Sequence, residues 1–310
     1  MADLLVSGII YGSIITLAAI GLTLMSDILK FFNFAYGDFF SLGAYGTLLM
    51  LGLLPKWAPF SGLSFGWGLI LALLAALVLT VAVMLLFEWL FFRRLRQLGV
   101  SPLFVSIASL GVAFVIRALI NIAWGPKVRY YSNVIQISRE LSLGIRITSD
   151  EIVILISALV LVALVYLFLK RTRMGKAMRA ASDNAVLAEA SGVSTRGVIL
   201  LTWSISGILV AVAGTFYGIE VQLSPGMGWS FLIPMFVAVI MGGIGSFWGA
   251  LLGGMTIGIS EELITGLVQN LVNSMNIQAD ISVYKPAVAF IFVVLILLLK
   301  PYGIFGKRER

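Results

Sequence analysis

Apolar residues in this chain run in long unbroken stretches separated by short polar clusters, with little strand-like alternation. About 20 apolar residues at 1.5 Å per residue match the hydrocarbon thickness of a bilayer. The pattern predicts spanning helices at 4–25, 31–54, 68–92, 101–124, 152–169, 198–217, 245–268 and 283–299. A further apolar piece, 229–242, is too short to cross comfortably and reads as a re-entrant segment or a half-helix buried by its neighbours. The expected fold class is an all-α polytopic membrane protein of about 8–9 segments, with glycine-rich broken or re-entrant helices. A single transmembrane domain, 1–310, carries them, with a polar loop at about 170–197.

The polar clusters set the orientation. Arg93, Arg94 and Arg96 follow the third apolar run. Lys170, Arg171, Arg173, Lys176, Arg179 and Arg196 follow the fifth, and Lys300, Lys307, Arg308 and Arg310 follow the last. Basic clusters beside apolar runs stay on the cytoplasmic side. The 125–151 loop is then external, its basic residues diluted by Glu140, Asp150 and Glu151, and the N-terminus is external too. Between 217 and 283 the crossings must be even in number, and the preferred arrangement has 229–242 and 245–268 both crossing with an inner turn at Gly-Gly-Ile-Gly-Ser. The first run has no basic region before it and is too long for a signal peptide, so it reads as a retained helix.

Composition changes the picture by exclusion. Of 310 residues, 60% are hydrophobic and 11% charged, with a mean hydropathy of +1.07, too few polar residues to cover a soluble surface. The net charge of +7 would suit nucleic acid, but the positions of the basic residues suit membrane topology instead, so no nucleic-acid partner is expected. Histidine and cysteine are absent, which removes zinc sites of the His/Cys kind, thiolate nucleophiles and His-based triads or proton relays.

Three stretches carry information. The first is Asn-Phe-Ala-Tyr-Gly-Asp, where Asn33, Gly37 and Asp38 interrupt apolar sequence. Asp38 has the makings of an N-cap for a helix starting at Phe39, with Asn33 and Gly37 ending a preceding turn. One reading is a broken helix lining a pathway through Asn33, Phe34, Gly37 and Asp38; the other is a plain cap at the membrane border near Lys30. Gly43 and Gly46 add a small-residue surface for close helix packing.

The second stretch is 170–196. Met174, Ala177, Met178, Ala181, Ala185 and Ala188 recur at helical spacing. Ser182 or Asp183 is expected to cap a short helix that runs through Ala185, Ala188 and Glu189 to Ser191 and stops at Gly192, and Ser194 or Thr195 to cap the next span. Such a helix suits docking into a groove of another protein; a basic loop solvated near anionic lipid is the plainer alternative.

The third stretch, 242–254, holds six glycines in thirteen residues. Gly242, Gly243, Gly245 and Ser246 form either a second break facing the first or a tight helix-packing surface. A faint echo between 37–44 and 245–250 raises the question of an inverted repeat, although glycine-rich strings also match by chance. Glu88, Arg117, Glu261 and Glu262 read first as peripheral groups that snorkel or pair, the last two with an outer-mouth cation as the alternative, and Glu220 and Gln222 fall on the external side as a receptor-facing loop would. Trp203, Phe216 and Trp248 read as packing residues or interface anchors.

Taken in order, these stretches resemble the inner-membrane permeases of branched-chain amino acid ABC importers. The resemblance rests on Gly21-Leu22-Thr23-Leu24, on Asn33 to Asp38, and on Leu42 to Tyr45. It continues with Arg179, Asp183, Ala188 and Gly192, with Gly242 to Ser246, and with Lys300 to Gly306. Two departures are visible: Tyr36 stands where the family often has His, and Glu189-Ala190-Ser191-Gly192 lacks the spacing of the general importer Glu-Ala-Ala motif.

The resemblance implies a second homologous permease, two ATP-binding-cassette ATPases gripping the 182–192 helix, and a periplasmic binding protein delivering an aliphatic amino acid; relatives that carry urea or short amides share the motifs. It implies no cofactor on this chain, ATP being used by the partner subunits, and no Walker A string is present. A passive channel or a secondary carrier for a small neutral solute is the competing class. A membrane enzyme lacks a nucleophile–base or metal set.

Overall fold

The computed structural model describes residues 2–55, 59–60, 63–132, 139–141, 145–275, 284–300 and 303–305. Six helices among them are long and apolar enough to cross a membrane. They are α1 (Ala2–Leu29), α3 (Trp67–Phe87) continued by a π turn at Glu88–Phe92 and by α4 (Arg93–Gln97), α5 (Pro102–Trp124), α6 (Ser149–Arg171), α9 (Thr195–Glu220) and α11 (Phe247–Ser274). Shorter apolar helices pack among them: α2 (Tyr36–Leu53), α10 (Met227–Gly242) and α12 (Lys285–Leu299). Two polar helices, α7 (Arg173–Asp183) and α8 (Ala185–Ala190), lie between α6 and α9. The chain is a multi-pass helical membrane protein. One departure from an all-helical expectation is a small antiparallel hairpin, β1 (Arg139–Leu141) with β2 (Ile145–Ile147), in which Arg139 pairs with Ile147.

The most buried spanning helices are α1 and α9, and α6 is the least. Buried apolar side chains give no preference between one apolar helix and another in lipid, so small residues decide which helices come close. α1 and α11 run antiparallel on such a surface: Gly8 lies by Ile259, Gly12 by Met255, and a Cβ at Gly258 would fall on the Gly12 backbone. α10 and α11 also run antiparallel, with Gly242 against Gly249 and Ala238 against Gly253.

Two units with opposite senses meet in the middle. In the first, α1 ends at Lys30, whose left-handed backbone (φ 58°) stops the helix, and an irregular segment 30–35 leads to α2. In the second, α9 ends, segment 221–226 follows, and α10 begins at Met227. α2 runs parallel to α9, with Tyr36 by Ser206 and Thr47 by Thr215. α1 runs antiparallel to α9, with Gly21 by Ser206 and Tyr11 by Tyr217. α3 packs on α2 and α9 as α11 packs on α10 and α1. The counterpart of the first break is therefore 221–226 and not the 245–250 string that echoes 37–44. Ser246 caps an ordinary helix after a tight turn and interrupts nothing.

The basic clusters gather at one end of the bundle. Lys30, Arg179, Ser246 and Phe305 line one cavity of about 740 Å³, and Arg93, Arg96, Glu189 and Arg196 line another. Ile304 N donates to Met241 O (2.8 Å) and Phe305 N to Gly242 O (3.1 Å), fixing the last described residues to the same end. Pro301, Tyr302, Gly306, Lys307, Arg308 and Arg310 lie outside the described residues.

Candidate functional site: two helix breaks

Irregular backbone among apolar helices must find its hydrogen-bond partners within the protein. For 30–35 they come from α5. Ser106 Oγ accepts from Phe32 N (3.1 Å) and Ser109 Oγ from Phe34 N (2.8 Å). Asn33, fully buried, turns back on its own segment: its Oδ1 accepts from Ala35 N (3.0 Å) and its carbonyl from Tyr36 N (3.2 Å). The two serines are absent from the sequence-based site. Their signal is a pair of hydroxyls three residues apart on one face of an apolar helix.

The corresponding irregular segment before α10 is 221–226. Leu223 exchanges both backbone hydrogen bonds with Arg129 (2.9 Å each). Ser224 O accepts from Met227 N (3.1 Å) and opens α10. Gly228 N donates to Ser41 Oγ (2.9 Å). Gly37 and Gly228 meet back to back, and a Cβ on either would land on the other's carbonyl oxygen. This break also escapes the sequence-based site, although Ser224-Pro225-Gly226 is turn chemistry.

Asp38 does not cap α2. The helix starts at Tyr36, its N-cap Ala35 has no side-chain cap, and Asp38 sits in the first turn. There its charge suits the helix N-terminus, and its carboxylate faces α5. Arg117 donates from Nε to Oδ1 (2.9 Å) and from Nη2 to Oδ2 (2.8 Å). A guanidinium in apolar surroundings needs a counter-ion more than a helix start needs a cap. Asp38 is fully buried, whereas the Arg117 side chain keeps 21% of its surface exposed. The guanidinium carbon lies 4.9 Å from the Trp229 ring centre and 5.6 Å from that of Phe114. Phe236 continues the aromatic surface, 5.6 Å from Phe32 and 5.3 Å from Phe34. The breaks thus carry one charge pair, a line of rings and a partly open guanidinium.

The other glycines do not join this junction. Gly43 is pressed against Ala211 of α9 and serves helix packing. Gly242 packs on Gly249, Gly243 and Gly245 take φ of 97° and 81°, and Ser246 Oγ accepts from Gly249 N (3.0 Å). These four residues turn α10 into α11 at the basic end, where Gly245 and Ser246 line one cavity with Lys30, Phe31 and Phe32. Gly245 N donates to Thr23 Oγ1 (3.0 Å), holding the turn to α1.

In the polar loop the helix boundaries differ from expectation. Thr172 caps α7 through Gly175 N (3.0 Å), and Ser182 and Asp183 fall inside that helix. Asn184 caps α8, its Oδ1 accepting from Leu187 N (3.0 Å). An Asn side chain after the last turn of one helix caps the next at once, so no loop intervenes. Met178, Ala181 and Ala188 pack with Val198, while Ala185, Val186, Leu187, Glu189 and Gly192 are exposed. Ser182 is tied to the end of α1, just before the first break, by a hydrogen bond to the Asp27 carboxylate. Ser194 caps α9 through Gly197 N (3.2 Å).

Two other carboxylates of the spans are paired. Glu88 binds Arg96, and Glu262 binds Lys285. Buried Glu261 has no hydrogen-bond partner among the described residues. Trp203 and Phe216 are core residues, and Trp248 is exposed beside Tyr166. Among the described residues no cluster of acidic side chains could hold a metal ion.

The family described as branched-chain amino acid transport system / permease component matches residues 4–299. Three curated relatives align along almost the whole chain. LivH of Escherichia coli (strain K12), a high-affinity branched-chain amino acid transport system permease protein, is 29% identical over 98% of this chain and 94% of its own length. BraD of Pseudomonas aeruginosa, named in the same words, is 29% identical over 98% and 95%. A probable branched-chain amino acid transport permease protein, LivH of Methanocaldococcus jannaschii, is 30% identical over 98% and 92%.

Proposed function

Because the chain belongs to the branched-chain amino acid transport system permease family, we propose that it is the membrane subunit of an ATP-binding-cassette importer of the bacterial inner membrane, moving aliphatic amino acids handed over by a periplasmic binding protein. A second homologous permease completes the membrane part. Two ATPase subunits beneath supply the energy, and this chain neither binds nor hydrolyses ATP. The chain crosses nine times. Segment 30–35 with α2 makes one crossing, and 221–226 with α10 another, which sets the N-terminus outside and the basic end in the cytoplasm.

The observation that carries this reading is the meeting of two oppositely directed helix breaks at Gly37 and Gly228, beside the Asp38–Arg117 pair. Broken helices with opposite senses at mid-depth give a pathway that opens by rocking one unit against the other. Asn33, Phe34, Gly37 and Asp38 line that path, and Gly242, Gly243, Gly245 and Ser246 border its cytoplasmic mouth. ATPase docking falls to α7 and α8, with Val186 and Leu187 as the apolar tip and Ser182, Asp183, Ala185, Ala188, Glu189 and Gly192 around them. The Ser182–Asp27 hydrogen bond carries their movement to the start of the first break.

Proteoliposomes distinguish this from a channel or secondary carrier. Radiolabelled leucine should enter only when partner permease, ATPases, binding protein and ATP are all present. Passive or ion-driven flux through the chain alone would overturn the reading.

A further inference from the structure

Resting on that reading, we propose that the open edge of Arg117 is the point on the path that receives the α-carboxylate of the cargo, held in place by Asp38, so that the site takes α-amino acids and discriminates against urea and short amides. Arg117 is the sixteenth of the 23 residues of α5, about 22 Å from the helix start, well inside the membrane. A partly exposed guanidinium at that depth cannot face lipid hydrocarbon, where an Arg is strongly disfavoured, so its exposed edge faces a wet path or another protein.

The geometry of the pair leaves that edge usable. Asp38 takes Nε and Nη2, while Nη1 makes no hydrogen bond among the described residues. Trp229 and Phe114 both lie within cation–π distance and restrain the plane of the group. A planar fork held in that way matches a carboxylate, and a charge-assisted bond to it is roughly twice as strong as one to a neutral carbonyl. Urea and amides offer only the neutral carbonyl.

Charge balance favours a zwitterion over a simple acid. Asp38 and Arg117 together are neutral, so a free anion gains the guanidinium and is repelled by the carboxylate behind it. An amino acid carries its own ammonium, and its dipole can lie against that of the pair with the ammonium over the neighbouring rings. Phe236 and Trp229 then receive the aliphatic side chain. Because Asp38 already neutralises Arg117, retention is weak, as release requires of a site on a transport path.

Trp229 reports on this site directly. The assembled importer, in nanodiscs and carrying 5-fluorotryptophan, is titrated with leucine, leucinamide and urea, the Trp229 fluorine signal being assigned by its loss in Trp229→Phe. Leucine should shift that signal saturably, whereas leucinamide and urea at the same concentrations should leave it in place. Arg117→Lys, which keeps the charge and loses the fork, should weaken the leucine response at least about tenfold. The wild-type comparison of leucine with leucinamide needs no variant to fold. Absence of a leucine shift, or an equal shift with leucinamide, overturns the inference. ATP-driven leucine uptake by the same preparation tests the importer reading separately: uptake without a Trp229 response removes the role of Arg117 and leaves the importer standing.

Discussion

Gly37 of α2 and Gly228 of α10 touch backbone to backbone, so that neither position has room for a single methyl group. The contact joins the starts of two helices that run in opposite directions. It lets the Gly228 amide reach Ser41 Oγ and brings Trp229 over Arg117. Gly37→Ala or Gly228→Ala must push these starts apart, at a cost of about 1–3 kcal/mol for overpacking. Lowered thermal stability together with lost uptake is expected for each, measured by fluorescence size-exclusion melting and by transport. A variant with unchanged melting temperature and uptake would show that the junction is looser than described.

Ser106 and Ser109 hold the first break by accepting from Phe32 N and Phe34 N. Removing a hydroxyl leaves a partly buried amide unpaired, which costs about 1–3 kcal/mol. Ser109→Ala should be the more damaging, because Ser109 is fully buried and its bond is the shorter. Hydrogen exchange at 30–35 should quicken in both variants and stay unchanged at 221–226. Equal exchange across the two breaks would argue against this division of roles.

Breaking the Asp38–Arg117 pair from one side leaves the other charge stranded, which costs about 3–5 kcal/mol. Arg117→Gln and Asp38→Asn should each reduce the amount of folded protein. The double variant should recover much of the loss, because two neutral amides strand no charge. Recovery of yield without recovery of leucine uptake is the expected outcome of comparing the three.

Ser182 is hydrogen-bonded to Asp27, a link between α7 and the last turn of α1. Ser182→Ala should leave α7 folded, since its cap is Thr172. Leucine uptake per ATP hydrolysed should fall in the assembled importer carrying the variant. Normal coupling in Ser182→Ala would remove this link from the transmission of movement.

Asn184→Ala removes the cap of α8, worth about 1 kcal/mol. In a helix of only six residues that loss should be enough to fray it. Weaker ATPase association, seen in pull-downs at rising salt, is expected, and deletion of 185–190 should abolish it. Full association after the deletion would place docking elsewhere.

The amino-acid sequence determined that this chain lives in a membrane, where its long apolar helices lie and which of its segments are basic. Those follow from the length of apolar runs and the position of basic residues, both local properties. It also announced an interruption at Asn33–Asp38, because Asn, Gly and Asp are costly inside an apolar helix. Only the tertiary structure decided what satisfies that interruption. Asp38 was legible as a cap because a local partner is the default for a carboxylate before a helix. Its actual partner, Arg117, stands 79 residues away on α5 and wins because a guanidinium among apolar helices has no cheaper counter-ion. The glycine-rich 242–246 stretch stands out by composition and turns α10 into α11, while the irregular segment 221–226 before α10 is marked only by Ser-Pro-Gly. Glycine content reports that backbones come close somewhere; which backbone arrives is settled by packing between segments far apart in sequence, as Gly37 and Gly228 demonstrate.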